Sequence, residues 1–122
     1  MRKITTVLVS VLLSNSVLAN DPRPADVDLF CSGMLLRASG LIQQNIGRFG
    51  GEARGQLTQV SNHLENNGNI LMQRGMMAGG SADSLNAGGS FANQEIGSNV
   101  LAILQKGSNQ NKSVMGCLRR GQ

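Results

Sequence analysis

Apolar positions recur with a helical period along most of the chain. From Asp26, an N-cap candidate, the residues Val27, Phe30, Cys31, Met34, Leu35, Ala38, Leu41, Ile42 and Ile46 follow the i, i+3, i+4, i+7 rule over about five turns. At roughly 100° per residue they fall within an arc of about 160°, which marks one broad face of a first helix for burial. The opposite side carries a second line, Leu29, Gly33, Leu36, Gly40, Gln43 and Gly47, spaced 4-3-4-3-4 like a coiled-coil seam. A glycine inside a helix costs roughly 0.5 to 1 kcal/mol relative to alanine, so three on one line call for a reason. Close approach of another backbone supplies one, either from the same chain or from a partner. The competing reading is compositional, since the chain holds 16 glycines.

A second helix runs from Glu52 through Ala53, Leu57, Val60 and Leu64 and continues at Leu71 towards Arg74, despite the turn signal of Asn66, Asn67, Gly68 and Asn69. Next comes a short repeat, Ala78 to Ser81 and again Ala87 to Ser90, both reading AGGS. Two copies suggest a Gly/Ser-rich linker near residues 78–90. Ser90 then caps a third segment carrying Phe91, Ala92, Ile96, Val100, Ile103 and Leu104 and ending at Gly107. A last helix around Lys112 to Leu118 presents Val114, Cys117 and Leu118, with Arg119 and Arg120 suited to its C-terminal dipole. No apolar/polar alternation of strand length interrupts this series. The expected class is all-α, a small bundle of three to four helices.

The start of the chain has a different logic. Arg2 and Lys3 precede the apolar run Val7 to Leu13, and the stretch Val17, Leu18, Ala19 places small or compact residues at the −3 and −1 positions of a signal peptidase site. The pattern is that of a signal peptide over residues 1–19, which leaves a single helical domain over residues 20–122. The apolar run is shorter than the ~20 residues of a spanning helix, so no stable membrane insertion is expected after cleavage. Loss of Arg2 and Lys3 lowers the formal net charge from +4 to +2. That is too little to suggest a nucleic-acid partner. The expected location is the periplasm, or secretion.

Export places Cys31 and Cys117 in an oxidising compartment, where two cysteines have one intramolecular connectivity. The bond would join the first and last helices. No C-x-x-C supports a redox thiol pair, and no His or further Cys stands at metal-ligand spacing, so no metal or cofactor is expected. The AGGS loops could offer backbone NH groups to an anion, but the lysine of a phosphate loop is missing and no strand precedes them. Asp26 and Asp28, two residues apart, do not face each other on a helix. His63 has only Gln59 and Asn67 at i±4 and reads as a helix-surface residue rather than a general base.

Met72, Met76 and Met77 admit two readings, adaptable core packing in a chain without Trp or Tyr, or a thioether site for Cu(I) that Met34 and Met115 could join. No catalytic set emerges, and the chain is read as not being an enzyme. The functional expectation is an exported accessory protein that binds a protein partner, or a second copy of itself, through the first-helix seam. In composition and layout it is similar to small exported accessory proteins of bacterial envelope systems such as secretion or conjugation machinery, a likeness that no single residue carries. Two alternatives stand beside it: an immunity or inhibitor protein directed at an envelope-acting toxin, and a Cu(I) or small-ligand carrier.

Overall fold

The computed structural model describes residues 23–122, and the signal peptide expected over residues 1–19 lies outside them. Four α-helices follow in order: α1 (Pro24–Asn45), α2 (Gly51–Met77), α3 (Ala82–Glu95) and α4 (Asn109–Gly121). Two 3₁₀ turns, Ile46–Arg48 and Val100–Leu104, complete the chain, and no strand occurs among the described residues. The all-α expectation holds, in its four-helix form.

The first helix starts two residues ahead of Asp26, because Pro24 fills N1 with its φ already set for a helix. Asp26 therefore sits in the first turn rather than at the cap. The second helix passes straight through Asn66 to Asn69. Asn67 is buried there, and its side-chain amide donates to the His63 carbonyl at 2.9 Å, so a residue that favours turns is held inside the helix. Gly79, at φ 84°, ends α2, and the Gly80 NH returns to the Gly75 carbonyl at 2.9 Å.

The expected linker near 78–90 shrinks to the few residues between α2 and α3. Ser81, not Ser90, caps the third helix, its hydroxyl accepting from the Asp83 NH at 3.1 Å. The second AGGS copy is helical. The third helix also stops at Glu95, well short of Gly107, since Gly97 at φ 53° turns the chain into the 3₁₀ segment that buries Val100, Ala102 and Ile103. The fourth helix begins earlier than expected, at Asn109, with the Ser108 hydroxyl accepting from the Asn111 NH at 3.0 Å.

α1 is the axis of the bundle. α2 returns antiparallel along one side, and the contact is made by small residues. Gly68 lies under Leu36, and Gly75 and Gly80 lie under Leu29, so closely that a methyl at Gly75 would come within 2.7 Å of the Leu29 side chain. Between them the Ser32 hydroxyl donates to the Gly68 carbonyl at 2.7 Å, and the Ser39 and Ser61 hydroxyls pair at 2.7 Å. α3 crosses another side of α1 backbone against backbone: a methyl at Gly33 would overlap the Leu85 carbonyl, and one at Gly88 the Phe30 carbonyl. Gly88, expected in a linker, is thus a contact residue, placed with Leu85 and Ala92 at helical spacing.

The large core side chains, Leu35, Ile42, Leu57, Leu64, Leu71, Ile103 and Val114 among them, fill the remaining flank of α1. α4 closes it with Val114, Cys117 and Leu118. The Cys31–Cys117 disulfide ties α1 to α4, with Cα atoms 5.1 Å apart. No helix among the described residues is long and apolar enough to cross a membrane.

Three variants test this packing. Gly88→Ala should cost stability at the upper end of about 1 to 3 kcal/mol by denaturant melting, because the obstacle is backbone and cannot rotate away. Gly55→Ala, where a methyl meets open space, should instead gain about 0.5 to 1 kcal/mol. Cys31→Ser opens a loop with a sequence separation of 86 and should lower the unfolding free energy by roughly 4 kcal/mol in the chain-entropy account. The unreduced, denatured wild type should yield no titratable thiol.

Candidate interaction groove

α2 and α3 flank α1 and leave an open groove of about 620 Å³ between them. Its floor is the α1 stretch Gly33, Leu36 and Arg37. One wall is Met72, and the other is α3 with Leu85, Asn86, Gly89, Ser90 and Asn93. The helix period explains the floor: Gly33 stands at the edge of α1 that meets α3 and Leu36 at the edge that meets α2, so the two bracket the strip left open between them. The Arg37 Nε donates to the Asn93 side-chain carbonyl at 2.6 Å, which pins the guanidinium along the α3 rim. The groove thus combines an apolar bottom with a neutral, amide-rich edge and one cation.

The six seam residues divide along α1. Leu29 is buried under Gly75 and Gly80, and Gly33 is covered from one side by α3, so this end is spent inside the chain. Leu36 is half-buried and joins Gly33 in the groove. Gly40 is half-buried, and a methyl added there would find only the Arg37 guanidinium within 4 Å. Gln43 is exposed, and its amide donates to the Ser61 hydroxyl at 2.8 Å. Gly47 falls outside α1, exposed in the 3₁₀ turn. The seam is therefore not one continuous partner-facing line, because close packing within the chain consumes its first turns. The α3 wall escapes a reading of the sequence. Its signal is the small-residue period Leu85, Gly88, Ala92, which a search for large apolar residues passes over.

The other chemistry-bearing side chains lie apart from the groove or have partners. Asp28 is buried and bridges three helices: Arg74 of α2 holds both of its oxygens, Nε to Oδ2 at 2.9 Å and Nη2 to Oδ1 at 3.0 Å, and Arg120 of α4 adds a further Nε contact. The Arg74 hydrogen bonds, with help from Arg120, hold the Asp28 carboxyl below the usual carboxylate range against the opposing effect of burial. The same pairing raises Arg74. Asp26 is lowered too, chiefly by the Ser81 NH and then by Arg23.

His63 is exposed on α2, with Nδ1 at 3.5 Å from the Asn67 amide nitrogen. Of the methionines, Met34 is in the core, Met115 packs partly against it and Met72 lines the groove. Met76 and Met77 are 61% and 89% exposed, so core packing does not describe them. Among the described residues no group of three or more His, Cys, Asp or Glu side chains is placed to hold a metal. Comparison with protein families, with curated proteins and with solved structures gives no match for this chain.

A carboxyl held below its unfolded value of about 3.9 stabilises the fold above that pH and stops doing so as pH falls through the folded value. Wild type should therefore lose stability on acidification below about pH 4. Asp28→Asn should flatten that loss, leaving the Asp26 contribution, which has the same sign. At neutral pH the variant should be less stable by roughly 1 to 3 kcal/mol, below the figure for a fully buried pair because Arg74 and Arg120 remain 47% and 33% exposed. Denaturant titrations across acidic and neutral pH read both effects.

Proposed function

We propose that this chain is a non-enzymatic accessory protein, acting in the periplasm or after secretion, that takes an apolar helical segment of a protein partner into the groove between α2 and α3. The observation that carries the reading is the groove floor itself. Half-buried Leu36 on the floor and Met72 on the α2 wall offer a partner segment an apolar surface, and the Met72 thioether can adapt to the guest. The amides of Asn86 and Asn93 on the rim can answer exposed backbone or side-chain polar groups of such a segment.

A non-catalytic role agrees with the state of the ionisable groups. The buried carboxylate, Asp28, has its oxygens engaged by two arginines, and the single histidine lies on an exposed helix face without a carboxylate partner. The methionines are distributed over core, groove and surface, which favours partner binding over Cu(I) transport. The leader pattern supports export, and an envelope system is the proposed setting.

Gly89→Leu provides the test, because a methyl there meets only the Gly33 carbonyl at 4.0 Å and the added side chain fills the groove rather than the core. A photo-crosslinker at Asn86 in cells should give one discrete protein adduct, which Gly89→Leu removes while the melting temperature stays at the wild-type value. An adduct that survives Gly89→Leu, or that forms equally from Gln59 on the far face of α2, overturns the groove as the binding site. Fractionation should place the protein outside the cytoplasm with Asn20 at its N-terminus.

A further inference from the structure

The five methionines among the described residues stand at very different depths. Met34 is buried at 1% exposure, Met72 on the groove wall and Met115 on α4 are half-buried, and Met76 and Met77, the last two residues of α2, are exposed at 61% and 89%. The backbone behind this pair is closed by the Gly79 NH, which donates to the Met76 carbonyl at 3.1 Å, and neither side chain packs on the core. The rest of the chain offers an oxidant little else. Its two cysteines are joined to each other, and it has neither Trp nor Tyr.

We propose that Met76 and Met77 are a reversible oxidation site, converted to methionine sulfoxides by a peroxide ahead of the other described methionines and without loss of the fold. The lone pair of each sulfur attacks one oxygen of hydrogen peroxide; the S–O bond forms as the O–O bond breaks, and the proton of the transferred oxygen passes to the departing hydroxide, which leaves as water. Sulfur gives up two electrons and the peroxide takes them. Exposure sets the order, because the oxidant has to reach the thioether. It sets the tolerance as well: a sulfoxide oxygen in water keeps its hydrogen bonds, whereas one made at Met34 would be an acceptor buried without a donor. The same openness admits a methionine sulfoxide reductase, whose two thiols remove the oxygen as water and end as a disulfide. The residue this spares is Met72. When peroxide is scarce, each molecule consumed at the end of α2 is one that does not make the apolar wall of the groove polar. The order of oxidation rests on exposure alone and stands whether or not the groove binds a partner.

Peptide mapping by mass spectrometry, on the disulfide-bonded chain over residues 20–122 sampled during treatment with hydrogen peroxide, tests the proposal. Sulfoxide should form at Met77 and Met76 at least about threefold faster than at Met72 or Met115, with Met34 unreacted in the folded chain. Unfolding in guanidinium should abolish these differences. The doubly oxidised protein should melt at the wild-type midpoint, and the two epimer-specific methionine sulfoxide reductases, driven by thioredoxin, should return both residues to methionine. With peroxide limiting, the double variant Met76→Leu, Met77→Leu, melting no lower than wild type, should carry at least about twofold more sulfoxide at Met72. Oxidation of Met72 or Met115 as fast as Met76 and Met77 overturns the proposal, as does an order of reaction that persists in the unfolded chain. So do a lowered midpoint after double oxidation, sulfoxides that neither reductase removes, and Met72 oxidation unchanged in the double variant.

Discussion

Close approach of helix backbones is the constraint on which the rest of this structure depends. With three Phe and no Trp or Tyr, the chain has few side chains able to bridge helices held at ordinary distance. It brings the helices nearer instead. Gly33 and Gly88 let α1 and α3 touch main chain to main chain, and Gly68, Gly75 and Gly80 let leucines of α1 sink against α2. Gly33, Gly68, Gly75 and Gly88 each weaken their own helix in isolation, so the helices depend on one another for stability more than their individual propensities suggest. The Ser39–Ser61 and Ser32–Gly68 hydrogen bonds belong to the same geometry, because only at short range can a serine hydroxyl reach the neighbouring helix.

Once α1 is enclosed in this way, the N-terminal part of the helix is secured by two further kinds of chemistry. Near the N-terminal end, Asp28 gathers Arg74 and Arg120, and one turn further on the disulfide fixes Cys31 to Cys117. α4 is short and buries only three side chains of note, so a covalent bond and a buried ion pair compensate for the apolar area it lacks. The groove is a by-product of the same arrangement: α2 and α3 each take one side of α1 and leave a strip of its surface between them.

The sequence is readable where the signal is large apolar residues at helical spacing. The buried stripe of α1, the continuation of α2 past Asn67 and the all-α class follow from such patterns, and the Cys31–Cys117 pairing from there being two cysteines. It misleads where glycine serves as a contact. Glycine's local value is that of a helix breaker, and on that value residues 82–90 look like linker. The fold uses Gly88 as a place for the Phe30 carbonyl to rest, a role set by a residue 58 positions away in the chain. The same reasoning applied to Gly33 and Gly40 is right in kind for the first and idle for the second, whose surroundings hold little but the Arg37 side chain. The difference between two equally spaced glycines is the course of α3, which no local pattern encodes. Likewise nothing near Asp28 foretells that its partners come from the ends of α2 and α4.

The disulfide has a consequence for how the molecule is taken apart. By joining Cys31 to Cys117 it makes a covalent ring of the chain between them, with the turns at 78–81 and 105–108 inside the ring. A single proteolytic nick in either turn therefore releases no fragment: the two pieces remain linked through sulfur and held by the shared core. The unit of degradation becomes two cuts, or one cut and a reductant. In surroundings rich in proteases and poor in thiols, that requirement lengthens the working life of a protein whose apolar core is modest.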